Sequence, residues 1–126
     1  MPEKKQTILI IDDSSVNNIL LENILQDEGY NVQVAFNANE AMAYIREQKP
    51  HLILLDIMMP GKNGYDILQD LRKDESTKNI PVVMVSAKSY TEDIEKAKIL
   101  GANDYIAKPI NIRDIVAKIE KNITPL

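Results

Sequence analysis

Five short apolar runs recur along the chain: TILII (7–11), VQVAF (32–36), LILL (52–55), IPVVMVSA (80–87) and DYIA (104–107). Runs of this length, bounded by polar and turn-forming residues, read as strands. The first, third and fourth are apolar at nearly every position, as a strand covered on both faces must be. They are therefore expected at the centre of a sheet. The second alternates Val32, Val34 and Phe36 with polar neighbours, which suits an edge strand.

The intervening segments carry helical periodicity. Val16, Leu20 and Ile24, flanked by Leu21 and Leu25, form an i, i+4, i+8 stripe that Gly29 terminates. Residues 37–49 open with Asn37 and Glu40 at capping-box spacing and close at Pro50. Ile67, Leu68 and Leu71 mark a helix within 64–74. Residues 89–101 pair Ser89 with Glu92 as a second capping box and stop at Gly101. Ile112, Ile115, Val116, Ile119 and Ile123 give a last stripe. Strand followed by helix, five times over, predicts an α/β fold: a doubly wound (βα)5 sandwich, with helices on both faces of a parallel sheet. The 126 residues suit a single domain with a core over about 6–123.

Composition narrows the functions available. With 44% hydrophobic residues the chain can bury a core without staples, and with no cysteine it has no disulfide and no thiolate chemistry. A net charge of −4 and an isoelectric point near 5.0 disfavour binding nucleic acid through bulk charge. No apolar stretch approaches the about 18 residues of a membrane span. The expectation is a cytoplasmic protein with neither a nucleic acid nor a membrane partner.

The chemistry sits where the strands end. In an open parallel sheet, ligands bind beyond the carboxyl ends of the strands. There the first strand offers Asp12 and Asp13, the third Asp56, the fourth Ser86 and the fifth Lys108, followed by Pro109. Three carboxylates brought together repel one another, and at least one pKa must rise. A hard divalent cation such as Mg²⁺ or Mn²⁺, which prefers carboxylate, carbonyl and water oxygens, resolves the conflict. A nucleophilic carboxylate with an ammonium and a hydroxyl beside it suits a phosphoryl group. The stretch HLILLDIMMPGKNG (51–64) fits that use. Its strand ends on Asp56, and Pro60, Gly61 and Gly64 allow the sharp turn that follows.

Four motifs, IIDD (10–13), LLDIMMPGKNGYD (54–66), VSA (85–87) and GANDYIAKP (101–109), closely resemble the receiver domain of two-component response regulators. The resemblance spans about residues 6–123 and implies the strand order 2-1-3-4-5. It implies that Asp56 accepts a phosphoryl group from a phosphohistidine. Asp13, Asp56 and the backbone carbonyl of Met58 would hold the metal, with Asp12 assisting through water. Lys108 would pair with the carboxylate and then the phosphate, and Ser86 would move to bond the phosphoryl oxygen. Tyr105 would swing as Ser86 moves, and the Lys108–Pro109 bond would be cis. The partners implied are a histidine kinase or histidine phosphotransfer protein upstream, and a downstream protein reached through the 89–123 face. The domain would be a monomer or a phosphorylation-dependent dimer, and not an enzyme with a separate substrate.

Each residue also has a plainer reading. Asp56 could cap the next helix, Asp12 or Asp13 could start the first, Lys108 could be solvated, and Tyr105 could be static packing. His51, the one histidine, is expected to be structural, and Met58 and Met59 to pack within their loop. Position 58 is often polar in the family; Met58 and Lys88 here are expected to alter the lifetime of the phosphoryl group. At this length there is no room for an output domain, so the signal is expected to leave by protein contact or phosphorelay. The alternatives are a receiver cut from a hybrid histidine kinase or a larger regulator, and an aspartate-nucleophile phosphatase. The phosphatase would need an acid where Met58 stands. A receiver-like domain that is never phosphorylated is disfavoured by the intact Asp13, Asp56, Ser86 and Lys108, and a flavin site by the acidic DDSSVNN after the first strand.

Overall fold

The computed structural model describes residues 5–59, 61–87 and 91–125, with the backbone alone at Thr91. The elements follow in the order β1 (Thr7–Ile11), α1 (Ser15–Asp27), β2 (Asn31–Ala35), α2 (Ala38–Glu47), β3 (Leu52–Asp56), α3 (Gly64–Lys73), β4 (Val82–Ser86), α4 (Thr91–Leu100), β5 (Asp104–Ala107) and α5 (Ile112–Asn122). The strands form one sheet in the order β2-β1-β3-β4-β5, and every pairing is parallel. The expected doubly wound sheet, its order and its central strands β1, β3 and β4 are all present.

Alternation along the strands builds two cores. Leu9, Ile11, Ile53, Leu55, Val82 and Met84 face one way and pack with Ala41 and Ile45 of α2, Ile67, Leu68 and Leu71 of α3, and Ala97 of α4. Ile8, Ile10, Leu52, Leu54, Val83 and Val85 face the other way and pack with Leu21 and Leu25 of α1 and Ile115 and Ile119 of α5. Burying each large aliphatic side chain contributes roughly 1.5–3 kcal/mol.

Asparagine caps several helices. Asn37 Oδ1 accepts from the Glu40 N–H at 2.9 Å. The Glu40 carboxylate reaches back to the Phe36 N–H at 3.0 Å, one residue before the cap. Asn63 and Asn111 cap α3 and α5 by accepting from the Asp66 and Asp114 N–H groups. Ser89 of the Ser89–Glu92 box lies outside the described residues, as do Pro60 and Lys88, while Glu92 stands in the first turn of α4.

Three apolar expectations need correction. Val16 and Leu20 are 78% and 52% exposed, and the buried row of α1 is Asn18, Leu21 and Leu25. The helix is turned because Asn18 donates to the Asp12 carbonyl oxygen at 2.8 Å, which fixes the face that meets the sheet. Ile112 is 55% exposed because α5 begins there, before the helix has reached the sheet. Phe36 is exposed because β2 ends at Ala35 and the chain turns into the Asn37 cap.

Two glycines are required for different reasons. Gly29 holds φ +94° with open space around it. A Cβ on Gly64 would lie 2.4 Å from the Asp56 carbonyl oxygen and 2.8 Å from the Ile57 Cα, both backbone atoms that cannot swing away. Gly64→Ala is therefore expected to destabilise the fold by about 2 kcal/mol or more. Gly29→Ala should cost about 1 kcal/mol. Urea denaturation of the two variants beside the native chain measures both, and equal costs would contradict the backbone clash.

Candidate functional site

Each strand brings its last residues to the same edge of the sheet. Asp12 follows β1 directly and is buried, 3% exposed. One oxygen accepts from the Ser14 N–H at 2.9 Å. Ser14 caps α1, its hydroxyl facing the Asn17 N–H, so neither Asp12 nor Asp13 is spent as the cap. Asp56 closes β3 and is 5% exposed. Its Oδ1 accepts from the Met58 N–H at 3.2 Å. It does not cap α3, since Asn63 does.

Lys108 reaches this pair from the loop after β5. Its backbone N–H donates to the Ser86 carbonyl at 2.8 Å, carrying the sheet's pairing one step further. The Lys108–Pro109 peptide bond is cis. The ammonium lies 3.4 Å from Asp12 Oδ2 and 3.6 Å from Asp56 Oδ2. It is thus placed between the two carboxylates rather than solvated.

Ser86, fully buried, ends β4 one step beyond Val85, which lies opposite Asp56 in the register. Tyr105 of β5 is also buried, and Ser86 hydrogen-bonds its hydroxyl. Burial pushes the Tyr105 phenol up, and the Ser86 bond works against that rise.

Asp12, Asp13 and Asp56 each offer a carboxylate oxygen, and these lie within 4.8 Å of one another. The consequence falls on Asp56, whose pKa is pushed up to about 6. Burial is the largest cause and the Asp12 charge the next, while Lys108 and the Met58 N–H oppose them. Two buried carboxylates with an exposed third beside them form a hard oxygen donor set, which Mg²⁺ or Mn²⁺ fits.

Some residues depart from expectation. Met59 is packed in the core, but Met58 is 54% exposed, so only one of the two methionines fills its loop. His51 is structural: its Nδ1 accepts from the Thr7 N–H at 3.0 Å. Asn18 and Arg72 went unremarked in the sequence. Asn18 stands three and seven residues before Leu21 and Leu25, the helical spacing that could have placed it on the covered face. Arg72 sits in a charged run, LRKDE (71–75), that gives no sign of burial.

The family model of the response regulator receiver domain matches residues 8–120. The chain belongs to this family. DNA-binding response regulator MtrA of Mycobacterium tuberculosis is 36% identical over 123 residues, covering 98% of this chain and 53% of that protein. Among solved structures, Vibrio cholerae chemotaxis protein CheY4 superposes with a TM-score of 0.89 at 25% identity, covering 94% of this chain and 99% of that one. A CheY-like response regulator receiver domain protein from Methanospirillum hungatei gives 0.85 at 32% identity, covering 94% and 93%. The receiver domain spans about half the length of the curated relatives it matches. Those relatives are named as DNA-binding, so the expectation of no nucleic acid partner finds no support among them. They do not favour a hybrid-kinase origin either. Among the described residues no helix is long and apolar enough to cross a membrane.

The raised pKa of Asp56 in the receiver fold makes its ionised form costly. Its favourable contribution to folding is whole below the unfolded value of about 3.8 and is lost as pH rises through about 6. Asp56→Asn should then stabilise the protein at pH 8 by on the order of 1–3 kcal/mol. That gain should vanish near pH 4. Urea denaturation at the two pH values checks it, and a gain that does not depend on pH would refute the electrostatic account.

Proposed function

We propose that Asp56 is the phosphoacceptor of a phosphorylation-dependent switch. A carboxylate oxygen of Asp56 attacks the phosphorus of a phosphohistidine on a histidine kinase or histidine phosphotransfer protein. The new P–O bond forms as the P–N bond breaks, and its electron pair returns to the imidazole. The observation that carries this reading is the placement of a buried carboxylate, held high in pKa, beside Asp12 and within reach of the Lys108 ammonium. A shifted group of this kind marks a site built for chemistry.

Asp13, Asp56 and the Met58 carbonyl would hold Mg²⁺ or Mn²⁺, with Asp12 assisting through water; when bound, the ion offsets carboxylate repulsion and supplies positive charge to the phosphoryl oxygens. Lys108 leaves the carboxylates for the new oxyanion. Ser86 turns to donate to it, releasing Tyr105. The changed surface is α4, β5 and α5, within 89–123, which a downstream protein reads. In a longer regulator of the MtrA kind, the attached domain would read the same face. The domain turns over no separate substrate, acts in the cytoplasm, and works as a monomer or a dimer formed on phosphorylation. A phosphatase reading is disfavoured because Met58 stands where the second acid would be needed.

Incubation with acetyl phosphate and Mg²⁺ should add one phosphoryl group, seen by intact mass. Asp56→Asn or chelation of the metal should abolish it. Lys108→Ala should slow it on the order of 10–100-fold. Modification of Asp56→Asn at the native rate would remove the proposal. A second expectation concerns Met58, whose exposed side chain borders the site. Met58→Asn should change the rate of phosphoryl loss several-fold, read by the decay of the phosphorylated mass, and an unchanged rate would show that position 58 does not set the lifetime.

A further inference from the structure

Among the described residues, α4 is the most lightly held helix. Ala97 is its fully buried side chain, Ile94 and Leu100 are only partly covered, and Ile99 is 84% exposed. By contrast α3 buries Tyr65, Ile67, Leu68 and Leu71.

The two ends of α4 are held differently. Its C-terminal end is fixed by Arg72, a half-buried guanidinium on α3. Arg72 Nε donates to the Gly101 carbonyl at 2.9 Å and Nη1 to the Ile80 carbonyl at 2.8 Å. Nη2 donates to Asn103 Oδ1 at 3.0 Å, and that oxygen also accepts from the Val82 N–H at 2.9 Å. The end of α4 and the entries to β4 and β5 thus share one node.

The rest of α4 runs toward the carboxyl edge of the sheet and rests on Tyr65. The Tyr65 hydroxyl donates to the Asp93 carbonyl at 3.5 Å, and the Lys96 ammonium sits 4.4 Å from the ring centroid. Tyr65 shares its buried cluster with Met59, Ala97 and Tyr105. Burial raises the phenol pKa of both Tyr65 and Tyr105, and the Asp93 carboxylate adds to each. Ser86 bonds Tyr105, Tyr105 and Tyr65 belong to one buried cluster, and Tyr65 contacts Asp93 and Lys96. A tyrosine hydroxyl and a cation–π contact are weak enough to break in a switching step.

We infer that Tyr65 is a positioning residue that holds the site end of α4 in its resting place, with the Arg72 node as the fixed pivot, and that phosphoryl capture displaces α4 by breaking the Tyr65 contacts to Asp93 and Lys96. The inference rests on the reading of Asp56 as phosphoacceptor. Its consequence is reciprocal. Weakening contacts made only in the resting state must tighten binding of whatever favours the displaced state.

The test is the affinity of beryllium trifluoride, a noncovalent phosphoryl mimic, in the presence of Mg²⁺, together with hydrogen exchange of the α4 amides. Tyr65→Phe removes the hydroxyl and keeps the ring; Lys96→Met removes the cation and leaves Tyr65 intact. Each should bind the mimic roughly three- to tenfold more tightly, with faster α4 exchange before the mimic is added. Ile67→Val, which lowers stability in the same core away from these contacts, should leave the affinity unchanged. Binding by the native chain, with both variants within about twofold of it, would overturn this inference alone. Absence of binding by the native chain would overturn the reading of Asp56 and this inference with it.

Discussion

The receiver domain depends on one electrostatic compromise. Two buried carboxylates, Asp12 and Asp56, are kept beside each other by one ammonium that reaches neither closely, at 3.4 and 3.6 Å. Removing charge from water is costly, and a single cation cannot fully offset two anions. The site is therefore left in need of positive charge. A divalent ion bound by Asp12, Asp13 and Asp56 would supply it. Under the proposed phosphoacceptor role of Asp56, these few groups would link chemistry at the edge to the conformation of the far strands.

The fold makes that compromise tolerable. Parallel strands covered on both faces hold their ends rigidly, since each strand contributes alternate side chains to two separate cores. Backbone bonds extend that rigidity into the loops: Asp12 to Ala35, Ile57 to Val85, Gly64 to Ile57 and Lys108 to Ser86. Gly64 brings the start of α3 against the Asp56 carbonyl. By contrast α4 buries little among the described residues, with Ala97 its fully buried side chain and Ile99 84% exposed.

Much of this was legible in the chain. Runs such as LILL ending in Asp56 carry both the strand and the chemistry in consecutive residues. Period-2 and helical spacing placed all five strands and the helices between them. The parallel layout then brought Asp12, Asp13, Asp56, Ser86 and Lys108 to one edge. What local pattern could not show was which way a helix faces. Val16 and Leu20 fit a stripe as well as Leu21 and Leu25 do, and the structure buries the second pair, on the face from which Asn18 bonds the Asp12 carbonyl. Arg72 is likewise a charge in a charged run until the loops at Ile80, Gly101 and Asn103 converge on it. The sequence by itself determined the elements, their alternation and the residue types at the strand ends, because periodicity and strand termini are local. Only the tertiary structure decided helix rotation, the raised pKa of Asp56 and the contacts of Tyr65 with Asp93 and Lys96 on α4, because each depends on groups far apart in the chain meeting at a few ångströms.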